Sequence, residues 1–297
     1  MVQSRAEYSA IPDRAPLRLP NQARVAAWVI INVEDWQFGE PLPRAALPAP
    51  QGVAVMPDVP NYSWFEYGLR VGFWRIKDAL DRRGIKATVS LNASVCDTYP
   101  RLVEACVESD WEILAHGYVQ RAINVESDER DVIRRTVQRI AQQTGRRPRG
   151  WMGPGLHETY ATPDILAEEG IEYCCDWVND DQPYSMRVSR GRLVSIPYTV
   201  ELNDIPIFLV QHHPSSEMFE RARDTLGVLL REGAQSARVL PISVHPYITG
   251  VAHRMPYFEH LLDHLLQHRP DVVLLRGSDI LDWYLAATSE LPARRGT

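Results

Sequence analysis

Residues 24–35 read RVAAWVIINVED, a continuous apolar run that ends in two adjacent carboxylates. An apolar run without alternation is typical of a parallel strand that is covered on both faces. Strand-like and helix-like segments then alternate along the chain until Ser278, where a last amphipathic helix is predicted to begin. This order, with seven or so β/α units, predicts an α/β fold, a distorted (β/α) barrel with seven or so parallel strands.

The predicted elements after the first strand are short. Apolar runs predict strands at 87–91, 111–115, 150–152, 171–175, 193–196, 205–210, 239–244 and 272–275. Apolar positions at helical spacing predict helices around 69–80 and at 97–109, 132–144, 162–170, 216–232 and 257–268. We expect residues 1–23 to form an irregular arm and residues 24–297 a single domain. The proline-rich segment Pro41–Pro60 is predicted to be a long ordered loop over the catalytic face.

Composition limits the class of protein. Of 297 residues, 45% are hydrophobic and 24% are charged, which excludes disordered, collagen-like and coiled-coil chains. The net charge of −6 argues against nucleic acid as a partner. The apolar run Val25–Ile31 is far shorter than the roughly 20 residues of a membrane helix, and residues 1–20 hold no apolar signal segment. Four cysteines without a CxxC pair indicate free thiols, so we expect a cytoplasmic protein with no membrane partner.

Reactive side chains follow the predicted strands. Because the carboxyl ends of the strands in a parallel barrel meet at one face, residues far apart in the sequence should converge there. The candidate catalytic residues are Glu34, Asp35, His116, Asp176 and His245. Each of them alone also has a structural explanation, such as a helix cap or a buried polar group. Together they form a set that can activate water: a carboxylate takes its proton and a histidine protonates the leaving group.

The motifs around these residues resemble those of the polysaccharide deacetylase superfamily, which includes the NodB and carbohydrate esterase 4 proteins. The resemblance covers roughly 24–284. Its motifs are an acidic pair after the first strand, a histidine segment, an aromatic-x-x-Pro segment, an Asp-Trp element and a strand that ends in histidine. They match Val33–Asp35, His116–Gln120, Gly150–Pro154, Asp176–Trp177 and Ser243–Pro246.

Within this superfamily the chain is most similar to the branch of allantoinases and cyclic imide hydrolases, through Gly150–Pro154, Thr162–Asp164 and Asp176–Tyr184. The resemblance implies hydrolysis of a C–N bond other than a peptide bond, by ring opening of a small cyclic amide, imide or ureide. It implies a small-molecule substrate and a homo-oligomer, either tetramer or dimer. The side chains expected to bind substrate are Arg70, Trp151, Pro154, Trp177, Asp181 and Tyr184.

One position departs from the family pattern. The family's zinc site uses one carboxylate and two histidines, but Gln120 stands where the second histidine is expected. Asp35 and His116 are then the only two predicted ligands, fewer than the three protein ligands usual for catalytic zinc. We therefore expect that no cofactor is strictly required. The alternative is a single divalent metal, Zn²⁺, bound by Asp35 and His116.

Two other functions stay open at this point. One is a metal-dependent deacetylase of N-acetyl sugars, and the other is a catalytically inactive binding protein on the same fold. In the enzyme, Glu34 or Asp35 is expected to activate water and His245 to act as the general acid. Asp176 is expected to orient His245 or His116. The paired His212 and His213 suggest a metal only weakly, and Arg254 has no assigned role.

Overall fold

The computed structural model describes residues 5–289. Its strands are β1 Val25–Val33, β2 Thr88–Leu91, β3 Glu112–Ala115, β4 Gly150–Trp151, β5 Tyr173–Cys174, β6 Tyr184–Met186, β7 Leu193–Ser195, β8 Arg238–Val244 and β9 Val272–Leu274. Its helices are α1 Val59–Tyr67, α2 Phe73–Asp81, α3 Val95–Thr98, α4 Pro100–Glu108, α5 Glu129–Thr144, α6 Thr162–Glu168, α7 Glu217–Gly233, α8 Met255–Gln267 and α9 Gly277–Ser289.

The strands form one curled sheet in the order β6-β7-β5-β4-β3-β2-β1-β8, and β9 pairs with the first half of β1. Among residues 5–289, the pairings between strands are parallel except that of β6 with β7. The sheet therefore makes a half-barrel surrounded by helices. The predicted α/β fold, a distorted barrel of seven or so parallel strands, is confirmed.

Strand β1 pairs with three strands, β2, β8 and β9, and contributes to two apolar layers. Val25, Val29 and Ile31 face the layer between the sheet and the helices. Trp28 and Ile30 face the inside of the curl, where Tyr173 also packs. All nine residues of β1 are buried, as the unbroken apolar run predicts. Fully burying a large apolar side chain contributes about 1.5–3 kcal/mol, so β1 anchors the sheet from which the catalytic side chains project.

Two short segments differ from the sequence prediction. Residues 205–210 were predicted to be a strand but form a π-helical turn, Ile205–Val210. Pro206 has no N–H to donate to a strand pairing, and Asn203 makes the isolated bridge to Ser243 of β8 just before the turn. The antiparallel strand β6 was not predicted, because its three residues are too few for alternation to be visible.

The proline-rich segment reaches the carboxyl-terminal face of the sheet. It is irregular up to Asp58, whose side chain caps α1 at the N–H of Asn61. The Asn61 side chain in turn hydrogen-bonds both the N–H and the carbonyl of Leu47, which ties the loop to the helix. Pro43 and Arg44 of this segment line the cavity described below. Its predicted position over the catalytic face is confirmed for these two residues.

The arm packs onto the sheet through Leu17 and Leu19, which are buried. The division into an arm at 1–23 and one domain at 24–297 stays a prediction, and residues 1–4 and 290–297 lie outside the described residues. Among the helices within 5–289, none is long and apolar enough to cross a membrane.

Candidate active site

Three strands deliver one polar side chain each to the same cavity. Glu34 follows β1, His116 follows β3 and His245 follows β8, and all three are at least nine-tenths buried. The strands are parallel, so their carboxyl ends lie at one edge of the sheet. The cavity has a volume of about 420 Å³. The sequence predicts that six side chains line one pocket, and three of the six, Glu34, His116 and His245, line this cavity.

The Glu34 carboxylate is the centre of the cluster. Its Oε1 lies 3.4 Å from His245 Nε2 and 3.8 Å from His116 Nε2, and it accepts a 2.8 Å hydrogen bond from Gln120 Nε2. Its Oε2 accepts a 3.1 Å hydrogen bond from the Trp36 indole N–H. Burial alone would raise the pKa of Glu34, but the positive charge of His245 and the hydrogen bonds of both histidines hold it well below its ordinary value. Glu34 is therefore an ionised carboxylate at neutral pH.

His245 is held from behind by Asp204, which is fully buried. The ring Nδ1–H donates to Asp204 Oδ1 at 2.6 Å, and the backbone N–H of His245 donates to Oδ2 at 2.7 Å. Thr249 Oγ1 also donates to Oδ2, at 2.7 Å. Burial lowers the pKa of His245, but the negative charges of Asp204 and Glu34 outweigh it and raise the pKa to about 9. His245 is therefore protonated at neutral pH, with its Nε2–H directed at Glu34.

The Nδ1 atom of His116 contacts a backbone carbonyl, whereas that of His245 contacts a carboxylate. His116 Nδ1 is 2.6 Å from the carbonyl oxygen of Met152, which can only accept, so Nδ1 carries the proton. Its Nε2 faces the cavity, 3.8 Å from Glu34 Oε1. The backbone carbonyl of His116 accepts a hydrogen bond from Asn92, and this fixes the end of β3. His245 can donate a proton here, and the ring of His116 is held in place by its Nδ1 contact with Met152.

The remaining walls of the cavity combine apolar and polar groups. Tyr198 O–H and Ser243 Oγ are 2.5 Å apart, and Asn32 Nδ2 donates to Ser243 Oγ at 2.8 Å. Asn203 Nδ2 donates to Tyr198 Oη at 3.2 Å. Such a fixed polar network can orient the carbonyl and N–H groups of a bound molecule. The other lining residues are Trp36, Pro43, Arg44, Gln120, Ala122, Met152, Pro154, Gly155, Leu156, His157, Ile205 and Pro206.

Seven of the predicted site residues do not line this cavity, and three of them are Asp35, Trp151 and Asp176. Asp35 points the other way along the alternation of β1, and its Oδ2 accepts a 3.2 Å hydrogen bond from Thr98. Trp151 is fully buried in the core. Asp176 accepts a 2.7 Å hydrogen bond from the N–H of Gly153, so it supports the loop that carries Pro154. Burial and the nearby charge of Glu158 raise the pKa of Asp176 well above its ordinary value.

Asp176 also does not orient either histidine. The predicted carboxylate partner of His245 is present, but it is Asp204, and the partner of His116 Nδ1 is a backbone carbonyl. Asp176 follows its strand as the pattern requires. However, its position after β5 places it behind the loop 153–156 rather than in the cavity, because that loop lies between them.

The predicted substrate-binding residues are also separated. Pro154 lines the cavity. Arg70 is an exposed side chain of the π-helical segment Gly68–Gly72. Its Nη1 lies 3.5 Å from Glu66 Oε2, and the expected contact with substrate or Glu34 is not formed. Trp177 donates its indole N–H to Glu158 at 3.1 Å. Asp181 and Tyr184 lie in two other cavities next to the arm, away from Glu34.

The paired histidines and Arg254 are outside the cavity as well. His213 Nδ1 lies 3.7 Å from Glu217, on the surface before α7. Arg254 donates to the carbonyl of Ile248 at 3.0 Å and stacks over Phe208 with 4.6 Å to the ring centroid. Arg254 therefore stabilises the turn that follows β8.

Sequence reasoning missed Asp204 and Arg44. Asp204 lies directly before the segment 205–210 that was predicted to be a strand. Only the sequence Asn203-Asp204-Ile205-Pro206, with a polar pair before a proline, could have indicated a turn. Arg44 lies in the proline-rich loop, where residue spacing has no regular period.

A parallel half-barrel whose strand ends bring an ionised carboxylate and a protonated histidine into one cavity defines a hydrolytic site. The comparisons agree with this class. A profile of the family "Polysaccharide deacetylase" matches residues 57–174, and the chain is similar to this family over that range. It is a hydrolase of C–N bonds other than peptide bonds.

Three relatives show how far the similarity extends. A Schizosaccharomyces pombe protein, named provisionally as a polysaccharide deacetylase, is 28% identical over 283 residues, covering 83% of this chain and 86% of its own. The crystal structure of a probable polysaccharide deacetylase from Pseudomonas aeruginosa PAO1 is 27% identical with a TM-score of 0.80, covering 92% of this chain and 95% of that one. The crystal structure of PuuE allantoinase is 26% identical with a TM-score of 0.80, covering 96% and 100%.

Deacetylases of this family are typically metal-dependent, but the residues present here do not fit the expected zinc site. Asp35 is directed at Thr98, away from the cavity in which His116 lies. Both side-chain ends of Gln120 are used: Nε2 donates to Glu34 and Oε1 accepts from Asn92 at 3.1 Å. Within 5–289, no three His, Cys, Asp or Glu side chains are grouped to hold a metal ion. The predicted pair Asp35 and His116 is thus not a preformed metal site.

Proposed function

We propose that the protein opens the ring of a small cyclic amide, imide or ureide by hydrolysis, without a metal ion. The observation that carries this proposal is the contact between Glu34 Oε1 and His245 Nε2, at 3.4 Å, inside the cavity. It pairs a carboxylate that can accept a proton with an imidazolium that can donate one. General acid–base catalysis needs an acid and a base that both reach the reacting atoms, and these two groups face the same cavity.

The reaction then needs only groups that the chain supplies. Glu34 takes one proton from water while the water oxygen bonds to the ring carbonyl carbon. His245 gives its Nε2 proton to the ring nitrogen as the C–N bond breaks, because an amide anion is a very poor leaving group. The second proton of water stays on the new carboxyl group and ionises into solvent. Proton return from Glu34 to His245, across their contact, restores the starting state.

Asp204 has a positioning role in this scheme. It accepts the Nδ1 proton of His245 and so keeps the ring in the orientation that directs Nε2–H into the cavity. Its negative charge stabilises the imidazolium. His116 presents its Nε2 to the same cavity, beside Glu34, where it can contact the bound ring.

Two further features support a small substrate. The cavity volume of about 420 Å³ lies in the range of small-molecule sites, and Pro43 and Arg44 of the irregular loop form part of its wall. The similarity to the crystal structure of PuuE allantoinase extends over 96% of this chain. We further propose a cytoplasmic homo-oligomer, a tetramer or dimer, with no nucleic-acid or membrane partner.

The alternative function, deacetylation of an N-acetyl sugar by a bound metal, is favoured by the family profile. A substrate panel separates the two. It contains hydantoin, dihydrouracil, allantoin, succinimide, maleimide and an acetylated chitooligomer. We expect hydrolysis of at least one ring and no release of acetate from the chitooligomer, measured by loss of ring absorbance and by acetate assay. Acetate release without ring opening would contradict the proposal.

A further inference from the structure

Arg44 is a cationic side chain of the cavity wall that the proposed chemistry does not use. Among the described residues that line the cavity, it alone has a permanent positive charge. Within 5–289, no carboxylate oxygen lies within ion-pair distance of its guanidinium group. An arginine that lines a cavity without an acidic partner is available to bind an anionic ligand.

The position of Arg44 relates it to Glu34. Both residues line the same cavity, and Tyr247 is buried beside His245 with 5.8 Å between the ring centroids. Burial raises the pKa of Tyr247 well above its ordinary value, the charge of Glu34 raises it further, and the charge of Arg44 lowers it. The guanidinium group is therefore in the same part of the site as the catalytic carboxylate.

Ring opening changes the charge in this part of the cavity. A neutral ring becomes a carboxylate at the carbon that water attacks, next to Glu34. Once the proton has returned from Glu34 to His245, the charges of these two groups offset each other, and the product carboxylate adds a negative charge that this pair does not offset. Like charges that are close together in a buried site destabilise each other strongly. Arg44 is the cation that remains.

We propose that Arg44 binds a carboxylate of the reacting molecule, a role that rests on the proposed ring-opening function. The carboxylate has two sources with the same chemistry: the group formed by hydrolysis, and an acidic substituent already present on the ring. In both cases the guanidinium group makes a charge-assisted hydrogen bond, which is worth roughly twice a neutral one.

The test uses two ligands that differ only in charge. N-carbamoylglycine is the ring-opened form of hydantoin, and N-carbamoylglycinamide is its neutral carboxamide. Dissociation constants are measured by calorimetry for the wild type, Arg44→Met and Arg44→Lys. Arg82→Met is the control, because Arg82 is an exposed arginine paired with Asp78 and Glu259. Thermal midpoints establish that each variant is folded.

We expect the wild type and Arg82→Met to bind the carboxylate about 10-fold or more tightly than the carboxamide. In Arg44→Met the preference should fall to within about threefold, and Arg44→Lys should recover part of it. No preference in the wild type, or an undiminished preference in Arg44→Met, would overturn the assignment.

Steady-state kinetics distinguish the two sources of the carboxylate. They also separate the proposed anion site from the proposed ring-opening function. KM is compared for hydantoin and hydantoin-5-acetate. A lower KM for the acetate, lost in Arg44→Met, identifies a substituent carboxylate; equal KM values with tight product binding identify the carboxylate formed by hydrolysis. If the wild type binds N-carbamoylglycine through Arg44 but opens no ring, the anion site stands and the proposed function fails. If rings are opened and Arg44→Met affects both ligands equally, the function stands and the anion site fails.

Discussion

Replacing Glu34 by Gln is expected to lower kcat by at least about 10²–10⁴-fold, the usual contribution of general acid–base catalysis. The amide cannot take a proton from water, yet it has nearly the same shape and can still accept a hydrogen bond from Trp36 or Gln120. Substrate binding should therefore change less than turnover. The measurement is the steady-state rate of ring opening at pH 7 on the best substrate of the panel.

Asp35→Asn is the matched control, because it makes the same chemical change at the adjacent residue. From the sequence we expected Asp35 to matter as much as Glu34. The structure places its carboxylate against Thr98 and outside the cavity, so its loss should reduce kcat far less. Equal losses in the two variants, or a larger loss in Asp35→Asn, would show that Glu34 is not the base.

Replacing His245 by Ala is expected to lower kcat by about 10²–10⁴-fold as well, because the leaving nitrogen loses its proton donor. The wild-type pH profile should carry the same information. Glu34 is ionised through the neutral range, and His245, with its pKa raised to about 9, loses its proton only as the pH rises past that value. We expect kcat/KM to be constant around neutrality and to fall about tenfold per pH unit above pH 9.

Asp204→Asn also tests the assignment of His245 as the proton donor, because Asp204 contacts its Nδ1. It removes one of the two negative charges that raise the pKa of His245, so the alkaline fall in kcat/KM should move to lower pH. Thr249→Val removes a hydrogen bond to Asp204 but leaves the Asp204 charge, and it should move the profile less. A His245→Ala enzyme with near-full turnover at neutral pH would remove His245 from the mechanism and point to His116 or water as the proton source.

The parts of the fold that were predictable share one property: a strong local pattern. The run at 24–33 is apolar at nearly every position because both faces of β1 are covered, so sequence alone identified this strand. Residues 205–210 have the same apolar character but turn, because Pro206 cannot donate and Asn203 makes the bridge to β8. Apolar content reports burial, and in short segments it does not distinguish a strand from a buried turn.

The site was predictable for a related reason. The carboxyl ends of parallel strands meet at one face, and that rule correctly placed Glu34, His116 and His245 together. It could not decide between adjacent residues such as Glu34 and Asp35, because side chains alternate in direction at the end of a strand. Nor could it find Asp204 or Arg44, which lie in irregular segments whose positions depend on tertiary packing.

The central claim is that Glu34 and His245 perform the hydrolysis without zinc. It is tested by measuring the ring-opening rate of protein stripped of metal with a chelator, before and after titration with Zn²⁺. Because Asp35 and Gln120 are not arranged as ligands, the stripped protein should keep most of its kcat, and added zinc should not raise it. Complete loss of activity on stripping, fully restored by one equivalent of zinc, would contradict the account.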